Sequence, residues 1–212
     1  MTDPKQDKLL DNTRASETLK KLGEKPKKGV TQIEGLMEDL HENGILLGMI
    51  LFAVPLAIPL PYPPGFSTIF GAPLVILSIQ MLFGSRKVKL PNAINKYEIK
   101  NTILHMISKK TVPIIKTIEV YIKPRLSFAQ SIYCEQLVGF LCLIAALAVI
   151  VPLPFTNAIP SQGITIMTLG LLNRDGLVII IGSIVAIIGI FIATMAIIGS
   201  WYLISMLFHT IF

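Results

Sequence analysis

Residues 45–84 read ILLGMILFAVPLAIPLPYPPGFSTIFGAPLVILSIQMLFG, with no Asp, Glu, Lys or Arg. The bare stretch reaches from Asn43 to Ser85, between Glu42 and Arg86. It is too long for a single crossing, because about 20 apolar residues span the hydrocarbon of a bilayer. It is also broken in the middle. Pro59, Pro61, Pro63, Pro64 and Gly65 cannot continue a helix: proline has no amide to donate and pushes the preceding residue out of the helical region. The spacing predicts two helices, Ile45–Leu60 and Phe66–Phe83, joined by a proline-built turn, with kinks at Pro55 and Pro73. Sixteen to eighteen residues rise about 24–27 Å, so a spanning hairpin and a shorter re-entrant one both fit.

The same construction recurs downstream. Gln136–Asn173 is charge-free; Leu137–Val151 ends at Pro152-Leu153-Pro154-Phe155, and a polar patch at Thr156, Asn157, Pro160, Ser161 and Gln162 leads into Ile164–Leu172. A displacement of 93 positions carries Pro59-Leu60-Pro61-Tyr62 onto Pro152-Leu153-Pro154-Phe155 and Gln80 onto Asn173, the pattern of an internal duplication. A third bare block, Leu177–Phe208, has no proline. It is either one long tilted helix or two pieces broken near Gly199-Ser200, with Trp201, Tyr202 and His209 as interface anchors.

Composition agrees. Of 212 residues 52% are apolar and 15% charged, against roughly 25% charged in a soluble domain, and mean hydropathy is +0.67. The expected fold is an all-α integral membrane protein: two proline-broken helical hairpins at 45–84 and 137–173, interfacial amphipathic helices, and a long C-terminal transmembrane helix at 177–208. A flexible polar tail over 1–30, with a short helix around Ser16–Leu22, precedes a single membrane domain over 31–212. Thr31 and Glu34 have capping-box spacing, and Ile33, Leu36, Met37 and Leu40 share a helical face, so 31–43 reads as a surface helix. Residues 86–135 are punctuated by Pro91, Pro113 and Pro124. They suggest short amphipathic helices, Ile99–Ile107 and Ile114–Ile122, with lysines toward headgroups.

Charge sets the orientation. Residues 1–44 carry eight basic and nine acidic side chains, whereas 86–135 carry ten basic and three acidic. The net charge of +6 is therefore one segment between membrane blocks, the distribution of positive-inside sorting rather than of nucleic-acid binding. It puts 86–135 and the N-terminus in the cytoplasm and turns each hairpin back to that side. No cleavable leader is expected ahead of so polar a start. Cys134 and Cys142 read as small apolar packers.

Catalytic signals are sparse. There is no zinc-hydrolase, nucleophile-elbow or P-loop pattern, no metal or cofactor site is expected, and His41, His105 and His209 stand apart. The breakers carry more. Backbone freed within a bilayer costs several kcal/mol per group unless protein or water covers it, and paired interruptions in the halves of a repeat mark a transporter's substrate site. The candidate solute-binding residues are Pro59, Pro61, Pro64, Gly65 and Gln80 in the first block, and Pro152, Pro154, Asn157, Pro160, Asn173, Arg174 and Asp175 in the second. The plain alternative is a pair of extramembrane turns. Arg174 and Asp175 form either an ion pair within the protein or an ordinary turn eased by Gly176.

The ordered motifs Pro59-Leu60-Pro61, Pro64-Gly65-Phe66-Ser67, Gly71-Ala72-Pro73-Leu74 and Gln80-Met81-Leu82-Phe83-Gly84 resemble the exopolysaccharide synthesis protein ExoD family. So do Leu90-Pro91, Pro124-Arg125-Leu126, Pro152-Leu153-Pro154-Phe155-Thr156-Asn157 with Pro160, and Leu169-Gly170-Leu171 with Arg174-Asp175-Gly176. The likeness runs from about Thr31 onward and departs at Thr156, where the family pattern has Gly. It implies a multi-pass protein of the bacterial inner membrane linked to exopolysaccharide production, and establishes no catalytic residue. Three functions follow in order: binding or transport of a small or lipid-linked solute at the breakers, a non-catalytic accessory subunit that binds polysaccharide-synthesis proteins, and a membrane enzyme acting on lipid-linked sugar.

Overall fold

The computed structural model describes residues 29–33, 44–59, 65–85, 98–123, 131–151 and 156–211, with 20, 24, 91, 96, 125, 126 and 129 as further single positions. The elements are β1 (Val30–Gln32), α1 (Gly44–Ala57), α2 (Phe66–Leu82), β2 (Glu98–Lys100), α3 (Asn101–Tyr121), α4 (Ile132–Ile150), α5 (Ala158–Leu172) and α6 (Gly176–Ile211). The architecture is all-α apart from the short β1–β2 ribbon. Two helices are long and apolar enough to cross a bilayer, Ile132–Ile150 and the Gly176–Tyr202 part of α6; α1, α2 and α5 are shorter apolar helices.

Apolar residues surround α1 on every side, and it is accordingly the core: Met49, Phe52, Ala53 and Leu56 are fully buried. Phe70 of α2 meets Phe52 edge-on at 6.1 Å and stacks on Phe66 at 4.4 Å, pairings that add to the burial of area. The most extensive packing is α5 on α6, followed by α2 on α4, α1 on α5 and α1 on α2.

Small residues set two of these contacts. A Cβ built on Gly163 would stand 2.5 Å from the Ala186 backbone; one on Gly182 would be 2.6 Å from Met167, one on Gly189 2.5 Å from Pro160, and one on Gly170 2.8 Å from Ile179. Every pair obeys one antiparallel register, so α5 and α6 touch backbone to backbone along the whole of α5. On α2 and α4, Gly139 meets Leu82 and Gly71 meets Ile150, again antiparallel. Stripes of small residues that let backbones approach are the usual means of helix association where no water drives it.

These registers sort the bundle ends. The C-terminus of α1, the N-termini of α2 and α5 and the C-terminus of α4 lie together at a charge-free end. The C-termini of α2 and α5 and the start of α6 form the opposite end, beside Glu135 and the Asn173–Gly176 turn.

Several expectations are corrected. Thr31 does not start a helix. It lies in β1, paired with Ile99 of β2, and its hydroxyl donates to Asn101 Oδ1 at 2.5 Å; long-range pairing outweighs the capping-box spacing. Ile99 is likewise a strand residue. The basic segment forms one helix, α3, instead of two, and passes through Pro113, whose carbonyl accepts from Thr117 Oγ1 at 2.9 Å. Helix α4 begins five residues before Leu137, capped by Ser131. Helix α5 begins at Ala158, so Pro160, Ser161 and Gln162 belong to its first turns. Helix α6 continues through Gly199 without a break. Of the expected helix at 16–22 only Lys20 is described, and it is helical; the expected helix at 34–43 lies outside the described residues.

Replacing Gly163 by Ala should lower stability by about 1–3 kcal/mol, since two backbones must separate. Gly199→Ala, with open space around it, should change nothing or add a few tenths through helix propensity. Thermal unfolding of the purified protein measures both.

Candidate functional site

The starts of α2 and α5 meet. Asn157, 7% exposed, is the residue before α5, and its Nδ2 donates to Oγ of Ser67, the second residue of α2, at 2.6 Å. Thr156 Oγ1 donates to Asn157 Oδ1 at 3.3 Å. One turn further, Gln162 Nε2 donates to the carbonyl of Ala57 at the end of α1, at 2.9 Å. A side chain thus ties α5 to each arm of the preceding helix pair just where those arms stop. Gly65 supplies the entry to α2 with φ of 85°, a left-handed conformation that costs other L-residues about 1–2 kcal/mol.

Neither α2 nor α5 has a side-chain cap. Other starts do: Ser131 accepts from the Tyr133 amide at the head of α4. Below Asn157 on the same face of α5 come Ser161, Thr165 and Thr168, all buried. Thr165 and Thr168 donate back to the Ser161 and Ile164 carbonyls. The Ser161 hydroxyl makes no hydrogen bond, and among the buried side-chain polar atoms of the described residues only Ser78 Oγ shares that state.

The charged end is built differently. Asn173 closes α5, its Nδ2 donating to the Leu169 carbonyl at 2.9 Å. Arg174 takes the left-handed position at φ 56°, and the amides of Arg174 and Asp175 donate to the Leu171 and Gly170 carbonyls, a Schellman closure. The strained position falls on Arg174, not on Gly176 where the sequence suggested a permissive turn. Asp175, 1% exposed, caps α6 by accepting from the Leu177 and Val178 amides at 3.1 and 3.4 Å. It also accepts from the Lys123 amide at 3.0 Å and stands 3.8 Å from Arg125 Nε. Its ion-pair partner is therefore Arg125, while Arg174 points to the exterior. Backbone bonds from Arg125 N to Arg174 O and from Gly176 N to Arg125 O complete a clip that fastens the chain after α3 to the bundle.

The candidate residues thus divide. Gly65, Asn157 and Pro160 gather at the breaker end with exposed Pro59; Gln80, Asn173, Arg174 and Asp175 lie at the other end, about 20 Å away along α5. Pro61, Pro64, Pro152 and Pro154 lie outside the described residues. Ser67 and Arg125 were missed, because neither stands out until the blocks are packed; the polar patch at Thr156, Ser161 and Gln162 was the visible signal. Among the described residues no three His, Cys, Asp or Glu side chains could hold a metal.

The family model described as "Exopolysaccharide synthesis, ExoD" matches residues 15–195. Protein ExoD of Rhizobium meliloti is 30% identical over 148 residues, 68% of this chain and 61% of that protein. An uncharacterized protein of Synechocystis is 32% identical over 136 residues, 64% of this chain and 63% of the relative. The chain spans less than two thirds of the length of either relative. No solved structure matches it.

Asp175→Ala should destabilise by about 2–3 kcal/mol, from a lost cap and a lost acceptor for buried amides. Arg174→Gly should not destabilise: relief of about 1 kcal/mol at a left-handed residue outweighs about 0.5 kcal/mol of charge at a helix C-terminus. Paired melting curves test both.

Proposed function

From the premise that this chain belongs to the exopolysaccharide synthesis ExoD family, we propose that it is a multi-pass inner-membrane protein serving exopolysaccharide synthesis. In this reading it binds or moves a small or lipid-linked solute at the junction of its two broken-helix pairs. It acts by binding and without catalysis, and its basic segment lies in the cytoplasm.

The observation that carries the reading is the level of the junction along α6. Pro160 lies against Gly189, about 20 Å above the start of α6 at 1.5 Å per residue. The apolar part of α6 runs on past that level to Tyr202, about 39 Å from its start. A hydrocarbon layer is about 30 Å thick. If α6 crosses it, the starts of α2 and α5 lie roughly 10 Å short of the far side. The outer face of α6 suits lipid: Ile184, Ile187, Phe191, Met195 and Ile198 are all exposed. Charged residues, by contrast, stand at the end where the arms enter. Irregular backbone at that depth is tolerable where it lines a cavity, and two such interruptions side by side make a site.

A parallel duplication fits the same facts. Displacement by 93 takes Ala57, the last residue of α1, to Ile150, the last of α4. It takes Gly71, which meets Ile150, to Ile164, two residues from the Gln162 that reaches Ala57. The contacts α2–α4 and α1–α5 are thus exchanged by the operation that exchanges the halves.

Labelling tests this. With Cys134 and Cys142 replaced by Ser and Ala, Pro59→Cys should react with a membrane-impermeant maleimide applied from outside about tenfold more slowly than Trp201→Cys. Equal rates would make the breakers ordinary external loops and remove the site. Asn157→Ala should then lose exopolysaccharide production in cells while the protein still accumulates; normal production would favour an accessory role.

A further inference from the structure

We propose that the clip at the charged end binds the headgroup phosphate of an anionic phospholipid, with Arg174 as the residue that reaches it and the foot of α6 as the surface for an acyl chain. The proposal rests on the membrane part of the preceding reading and on none of the solute site, so either can fail without the other.

Arg174 occupies a position that selects against it. The left-handed residue that closes a helix is usually Gly or Asn, because a Cβ crowds the following carbonyl oxygen, yet Arg174 stands there at φ 56°. Among the described non-glycine residues only Leu126, next to Arg125, shares the sign of that angle. The closure itself is made by backbone amides, and the ion pair with Asp175 belongs to Arg125. Arg174 is exposed. A strained residue whose side chain is turned out of the fold points to a function outside it.

Other cations are fixed beside it. The Arg125 amide donates to the Arg174 carbonyl at 3.3 Å and the Gly176 amide to the Arg125 carbonyl at 2.9 Å, so the two arginines leave adjacent stretches of backbone. Lys123, also exposed, is held two residues earlier by its amide bond to Asp175. One carboxylate, Asp175, thus anchors the backbone from which three cations project. It is itself buried, while the Arg125 side chain is 45% exposed. Glu135, in the first turn of α4, lies at the same end, but residues 86–135 carry ten basic and only three acidic side chains. The charge presented outward is positive, and the planar fork of a guanidinium matches phosphate oxygens.

The surface next to this charge selects a phospholipid among anions. Three positions after Arg174, α6 begins an exposed apolar stripe of Leu177, Ile181, Ile184 and Ile188. The stripe lies on the side of α6 away from Gly182, Ala186 and Gly189, which pack on α5. It is about 17 Å long, close to the roughly 15 Å of hydrocarbon in one leaflet. Phosphate at its foot and a chain along it are two ends of one molecule. An anionic leaflet attracts Lys and Arg placed at its surface.

The full-length protein in neutral detergent is titrated with phosphatidylglycerol and with phosphatidylcholine of the same acyl chains, and native mass spectrometry counts the retained lipid. Phosphatidylglycerol should bind about tenfold more tightly. Arg174→Gly should weaken phosphatidylglycerol binding about fivefold while melting no lower than the parent, and leave phosphatidylcholine unchanged. Arg174→Lys, which keeps the charge without the fork, should fall between. Lys109→Gln, which removes one charge from the exposed face of α3, should match the parent. Equal weakening by Lys109→Gln would reduce the effect to diffuse surface charge and overturn the site. Unchanged phosphatidylglycerol binding in Arg174→Gly overturns it too, as does displacement of the lipid by millimolar glycerol phosphate, which would make the ligand a free phosphate ester. A parent that retains neither lipid overturns the membrane reading as well, whereas the labelling of Pro59→Cys judges the junction alone.

Discussion

Backbone-to-backbone contact between α5 and α6 is the constraint on which the other arrangements rest. Gly163, Gly170, Gly182 and Gly189 remove the side chains that would hold the helices apart, and the resulting register permits no sliding. Pro160 is thereby pinned opposite Gly189, so the first turn of α5 comes to rest partway along a much longer helix. The link from Asn157 to Ser67 then carries that level across to α2. A polar junction at the charge-free end of the shorter helices, partway along α6, is the consequence.

The two ends of the bundle solve the problem of helix termini in opposite ways. At the charged end orphan groups are met within the chain: Asp175 caps α6, the Schellman closure at Arg174 meets carbonyls at the end of α5, and the Arg125 clip ties the basic segment to both. Such an end is built to stay as it is. At the breaker end, α2 and α5 start without side-chain caps and Ser161 keeps an unused hydroxyl. Closed and uncapped helix termini thus fall at opposite ends of the same bundle.

Much of this was legible in the residues, and what was not has a common cause. Prolines at 59–64 and 152–154 announce breaks, because a missing amide acts locally. Charge-free runs announce apolar helices, and α1, α2 and α6 begin or end within three residues of where the sequence put them. The errors fall where distant partners decide. Thr31 and Glu34 looked like a helix start, yet Thr31 found a strand partner 68 positions away. Asp175 was read either as an ion-pair partner of its neighbour Arg174 or as part of an ordinary turn, yet it pairs with Arg125.

By itself, the sequence determined the all-α class, the positions of the interruptions, the sign of the charge at each block boundary and the family likeness, all of which depend on composition and near neighbours. Only the tertiary structure decided which helices pair, that the starts of α2 and α5 touch, that Asn157 bonds Ser67, and that Gln162 reaches Ala57. The physical reason is that helix-to-helix register is set by where small residues on different segments meet. That matching of surfaces has no signature along a single strand of residues.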